Sequence, residues 1–160
     1  MEEINQAVAA EFSSEKYLVA AEHINTKWPD LSAILIELQE IPSFKLLDKY
    51  KIILTRYGSG GSYNSVAGEV ILNIERRPPD QLMGTIAHEI VHIGIQDFIN
   101  KYEIKHWFKE RLVDLIGQRY FPNLRKMQKI EPDVSALDAA FGKFFPDLDA
   151  ILDTIKSEGL

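Results

Sequence analysis

Between Thr85 and Ile95 the chain is almost wholly apolar, and the ionisable residues it holds are His88, Glu89 and His92, spaced as H-E-x-x-H. The run reads as helix. On a helix, positions four apart share one face a turn from each other, so both imidazoles can reach one cation while Glu89 stands beside it. That pattern points to a hydrolytic zinc site, with His88 and His92 as metal ligands, Glu89 as the catalytic residue and one Zn2+ per chain. By chance such a pentapeptide arises in about one in a few hundred chains of this length. The plain alternative is two helix-face histidines beside an exposed glutamate.

The remaining composition narrows the setting. With 160 residues, 46% of them hydrophobic, the chain has the size and apolar mass of one globular domain. The expected parts are a helical N-terminal scaffold over 1–49, a zinc-site core over 50–118 and a helical C-terminal part over 119–160. A net charge of -6, with scattered lysines and arginines, argues against nucleic acid or anionic lipid as partners. No segment approaches the roughly 20 apolar residues of a membrane span, and the start lacks a secretory signal, so a cytoplasmic protein is expected. Zero cysteines leave His, Asp and Glu as the residues to hold a metal.

Along the chain, Ile4, Val8, Phe12, Tyr17, Leu18 and Ala21 recur at helical spacing over 2–25, with a break near Ser13-Ser14. Trp28-Pro29-Asp30 predicts the end of that unit and the start of a second helix over about 30–40. The β-branched runs 51–57 and 69–74, separated by Gly58, Gly60, Gly61 and Gly68, predict a β-hairpin with a flexible connection. The Gly58–Ser62 spacing fits neither phosphate-binding glycine pattern. The motif helix is predicted from Asp80 or Pro79 to about Asn100, and another from Glu103 to about Arg119. Two more follow, punctuated by Pro132 and Pro146. The fold class is thus α+β, predominantly helical, with a small hairpin or sheet packed on the H-E-x-x-H helix and an antiparallel helix after it.

Catalytic zinc takes three protein ligands and keeps one position open, so a third must be found. The pattern that continues the same helix, H-E-x-x-H-x-x-G-x-x-H, fails because Gly94 is one place early and Phe98 stands at the last histidine. The following helix offers Glu103, His106, Glu110 and Asp114. If the two helices form a hairpin turning near 101, residues equidistant from the turn face each other. His92 and Glu110 are each nine away, and His88 and Asp114 each thirteen, whereas His106 faces Gln96, about 5.4 Å from the metal. Glu110 is the first choice of ligand, with His106 and then Glu103 or Asp114 as alternatives. Asp114 would instead accept the spare N–H of His88 and fix its tautomer.

His88-Glu89-x-x-His92 followed by Glu110-x-x-x-Asp114 on a second helix resembles the gluzincin peptidases, most closely their small single-domain members, over about residues 50–118. The resemblance implies that both histidines and the downstream glutamate bind zinc, and that an extended substrate pairs with the sheet's edge, either 69–74 or the Gly-rich segment before it. Lys109 stands where thermolysin-like members carry asparagine. The expected activity is zinc-dependent peptide hydrolysis with Glu89 as general base and a peptide or protein substrate. His106, Tyr102, Arg119 and Tyr120 are candidates for steadying the oxyanion. Other readings are an inactive metal-binding or interaction protein on a peptidase scaffold, zinc hydrolysis of another amide or ester, or a di-iron carboxylate protein, since Glu89-x-x-His92 and Glu103-x-x-His106 are both E-x-x-H. The C-terminal acids Asp147, Asp149 and Asp153 could also place a carboxylate in the cleft to hold a latent form, against the simpler expectation of an amphipathic packing helix.

Overall fold

In the computed structural model, which describes residues 14–124 and 126–157, the elements follow in the order α1 (Ser14–Glu37), β1 (Lys51–Thr55), β2 (Gly61–Asn64), β3 (Glu69–Asn73), α2 (Pro79–Tyr102), α3 (His106–Tyr120), α4 (Ser135–Phe144) and α5 (Leu148–Ser157). The architecture is α+β and mostly helical. Its centre is α2, which carries the motif. From Leu82 to Ile95 every residue of α2 is buried, as a helix apolar on all sides requires. Helices α1, α3 and α5 and strands β2 and β3 enclose it. Pro79 opens α2, where a missing N–H costs nothing. Glu103 closes it in the left-handed region, φ 56°, its N–H turned back to the carbonyls of Asn100 and Ile99. Three residues later α3 begins, so the expected start at Glu103 moves to His106. Among the described residues, no helix is long and apolar enough to cross a membrane.

The expected break at Pro29 is absent, because α1 runs through it as one helix. Its buried stripe, Ala20, Ile24, Leu31 and Leu35, keeps helical register across the proline, with half-buried Trp28 filling the gap. Pro29 and Asn25, whose carbonyl loses its helical donor, are both exposed, so water can take the place of the lost bond. Burial along one face decided the outcome. The stretch holding Ile4, Val8 and Phe12 lies outside the described residues.

The sheet also departs from the expected hairpin. Its order is β1-β3-β2, with β1 parallel to β3 (Ile53 opposite Ile71) and β2 antiparallel to it (Tyr63 opposite Val70, Gly61 opposite Leu72). The supposed flexible connection therefore contains a strand. Its hairpin turn is set by Asn64, whose Oδ1 accepts the N–H groups of Val66 and Ala67 at 3.2 Å, and by Gly68 at φ 64°. Val70 and Leu72 are fully buried beneath the sheet, and β2 is left at the edge beside α2. On the opposite flank the segment after α1 is stapled to α2, where Lys45 N–H donates to the Gly94 carbonyl at 3.0 Å and Phe44 packs on Gly94.

Candidate metal centre

Helix α2 projects His88 and His92 from successive turns, and their Nε2 atoms lie 3.1 Å apart with the rings edge to face. Antiparallel α3 brings Glu110 across them. One carboxylate oxygen is 3.4 Å from His88 Nε2, the other 3.4 Å from His92 Nε2. Tetrahedral zinc at about 2.0–2.1 Å from each donor separates neighbouring donors by about 3.3 Å. The imidazole–imidazole edge is close to that value and each Glu110 oxygen stands at that distance from one imidazole; taken one atom per residue the three donors lie within 4.8 Å of one another, and this group could hold a metal ion. Two imidazoles among three donors disfavour calcium and magnesium, which take oxygen.

Around the donors, each polar contact steadies one of them. Asp114 Oδ1 lies 3.5 Å from His88 Nδ1, on the ring edge opposite the donor nitrogen. Gln128 ties both acids together: its side-chain amide donates to Glu110 Oε2 at 3.0 Å, and its backbone N–H donates to Asp114 Oδ2 at 2.5 Å. The Tyr63 ring stacks on the His92 ring, 4.9 Å between centroids and 8° from parallel, and its hydroxyl donates to Gln96 Oε1 at 2.7 Å. Lys109 Nζ is 3.7 Å from Glu110 Oε1 and 3.5 Å from the Tyr63 hydroxyl. Burial tends to raise the Glu110 carboxyl, but the contacts with His88, His92 and Gln128 outweigh it and hold the group well below the usual carboxylate range. It is ionised at any ordinary pH.

Glu89 is 7% exposed and lines the same cleft, of about 490 Å³. Strand β2 crosses directly above it. A Cβ on Gly61 would stand 2.5 Å from Glu89 Oε1 and 2.6 Å from Thr85 Cγ2. Glycine at 61 is what lets the edge strand approach the helix so closely, and this is the structural use of the Gly-rich segment. Backbone pairing alternates along an antiparallel ladder, and the Asn73 N–H bond to the Gly60 carbonyl fixes its phase. By that phase the N–H and C=O groups of Gly61 and Tyr63 point away from β3, with the Gly61 carbonyl accepting the Ser59 hydroxyl at 2.9 Å.

Of the expected site residues, the fold gathers His88, Glu89, His92, Glu110 and Asp114. His106 also lines the cleft, exposed at the start of α3 with Nδ1 3.8 Å from Glu110 Oε1. The other oxyanion candidates are misplaced. Tyr102 lies ten residues beyond His92, about 15 Å along α2, and its hydroxyl donates to Asp149 at 2.8 Å. Arg119 and Tyr120 lie at the far end of α3, with Tyr120 against Phe145. Glu103, needed for a paired-iron arrangement, is exposed in the turn between α2 and α3, and among the described residues the metal-capable cluster is His88, His92 and Glu110. The C-terminal acids also stay clear of the cleft. Asp149 pairs with Lys101 at 2.7 Å, Asp147 accepts the Ala150 N–H, and Asp153 is exposed. Reasoning from spacing missed Tyr63, Lys109 and Gln128 as neighbours of the donors.

Comparison with known protein families, curated proteins and solved structures finds no match to this chain.

Proposed function

We propose that this chain is a zinc-dependent peptidase of the gluzincin kind, hydrolysing peptide bonds of an extended substrate. The reading is carried by one observation: three donors from two antiparallel helices, within 4.8 Å of one another, with the buried Glu89 carboxylate in the same cleft wall. Zinc bound by His88, His92 and Glu110 supplies Lewis acidity, which polarises a carbonyl and makes a water more acidic. Glu89 accepts the proton of the attacking water and delivers it to the leaving nitrogen. Tyr63 and Asp114 hold the two imidazoles in orientation. The outer edge of β2 offers backbone groups to an extended chain, which favours peptide substrates with little dependence on side-chain sequence. Lys109 and His106, both facing the cleft beside Glu110, take over the oxyanion role from Tyr102, Arg119 and Tyr120.

The test combines metal and activity. Wild-type protein should bind one zinc per chain and cleave members of a mixed peptide library read by mass spectrometry. Glu89→Gln should retain zinc and lose about 10²–10⁴-fold in rate. A zinc-loaded wild type that leaves every peptide intact defeats the proposal.

A further inference from the structure

Three half-buried arginines are described, and two of them face carboxylates: Arg56 meets Glu75 at 2.7 Å and Arg111 meets Asp138 at 2.6 Å. Arg77 is different. Its Nε, like that of Arg56, is buried without a hydrogen bond, but Arg56 Nε faces Glu75 whereas among the described residues no carboxylate lies within 4.0 Å of Arg77. A sheltered guanidinium is normally paired, because the lost hydration must be replaced by an anion or by acceptors. Arg77 instead lines both the cleft with the donor triad and the adjoining cavity of about 750 Å³, which share Gln128 as a wall. Room for it is kept by a second glycine. A Cβ on Gly60 would lie 2.7 Å from Arg77 Nε and 3.0 Å from Nη2. Among the described residues, Lys126 adds a second positive charge to the adjoining cavity and Asp80 one negative, leaving their sum cationic in a chain of net charge -6.

Position along β2 assigns the ligand. Gly60 with Arg77 stands at the start of the strand, Gly61 above Glu89, and Tyr63 over His92. A peptide adding antiparallel to β2 runs from Tyr63 toward Gly60, so the residues after its cleaved bond lead to Arg77. We propose that Arg77 binds a substrate carboxylate on the C-terminal side of that bond, through the planar fork a guanidinium offers to a carboxylate. The carboxylate is either the peptide's own terminus or an acidic side chain. The direction of the peptide rests on the peptidase reading; the carboxylate site itself is read by binding.

The experiment measures equilibrium binding by calorimetry to zinc-loaded Glu89→Gln protein, which keeps peptides uncleaved. The probes are acetylated tetra-alanine with a free C-terminus, its C-terminal amide, and that amide with aspartate in either of its last two positions. The free acid or an aspartate amide should bind about 10- to 100-fold tighter than the neutral amide. Preference for the free acid alone assigns the chain terminus, and preference for the aspartate amides assigns a side chain. Adding Arg77→Met should abolish the preference, and Arg77→Lys should keep part of it, with zinc affinity and melting temperature close to the parent in both. Equal binding of all probes, no binding of any at millimolar concentration, or a preference that survives Arg77→Met overturns the proposal. Hydrolysis of the same probes by zinc-loaded wild type is scored separately. Lack of hydrolysis with the preference intact counts against the peptidase reading alone.

Discussion

Replacing Gly94 by alanine tests how α2 is held, and two physical effects give it opposite signs. Helix propensity favours alanine at an interior position by about 1 kcal/mol. Packing opposes it. A Cβ at 94 would stand 2.1 Å from Phe44 Cζ and 2.4–2.5 Å from the two Cε atoms, where ordinary contact begins at 3.4 Å. The ring would have to retreat by about 1.3 Å, yet it is only 9% exposed and the next residue is bonded to the Gly94 carbonyl. Overpacking of this kind costs about 1–3 kcal/mol, and full ejection of the ring forfeits up to about 3 kcal/mol of burial. With the ring hemmed in, the cost falls at the upper end, about 2–3 kcal/mol, so after the propensity gain Gly94→Ala should lose about 1–2 kcal/mol. For a chain of this size that is a fall in Tm of about 2–8 °C. Thermal and urea melts of Gly94→Ala, Phe44→Ala and the double variant check the cause. With the ring gone, alanine at 94 should be neutral or stabilising, so the two losses should not add. A Gly94→Ala protein as stable as wild type, or strictly additive losses, would refute the argument.

Other outcomes follow from the centre itself. Gly61→Ala should leave zinc affinity within about threefold while displacing Glu89, and a misplacement of about 1 Å costs about 10²-fold in hydrolysis; zinc lost in parallel with activity would mean that β2 shapes the donors instead. Asp114→Asn should weaken zinc binding by about 10–100-fold in chelator competition, and an unchanged affinity would remove Asp114 from any role in orienting His88. Acid release of zinc should follow the imidazoles, which bind only when neutral, because Glu110 is held ionised far below their range. Affinity should therefore fall on acidification before the carboxylate is protonated, and release confined to below about pH 4 would implicate the carboxylate.

The donors were legible in the sequence because helices impose fixed spacings. Once two helices turn back near 101, counting outward is enough to bring Glu110 to His92 and Asp114 to His88. The rest depended on contacts between elements distant in sequence. Strand β2 has four residues, begins with glycine and shows no apolar alternation, so no local signal separates it from a loop. Tyr63 acquires its place on His92 only through the pairing of β2 with β3. Gln128 lies in irregular chain after α3, where no periodicity marks which side chain turns inward. Arg77 stands beside Arg76 with no motif around it, and its lack of a facing carboxylate is visible only in three dimensions. At Pro29 the local rule favoured a stop, and the unbroken burial of Ile24, Leu31 and Leu35 overrode it.

Gln128 touches Glu110 through its side chain and Asp114 through its main chain, and it belongs to neither helix. Rigidity of the carboxylate half of the centre is thus borrowed from a coil. A motion that lifts the coil from α3 would remove hydrogen bonds from Glu110 and from Asp114 together, so the opening of that coil would loosen any ion held by the three donors in the same step.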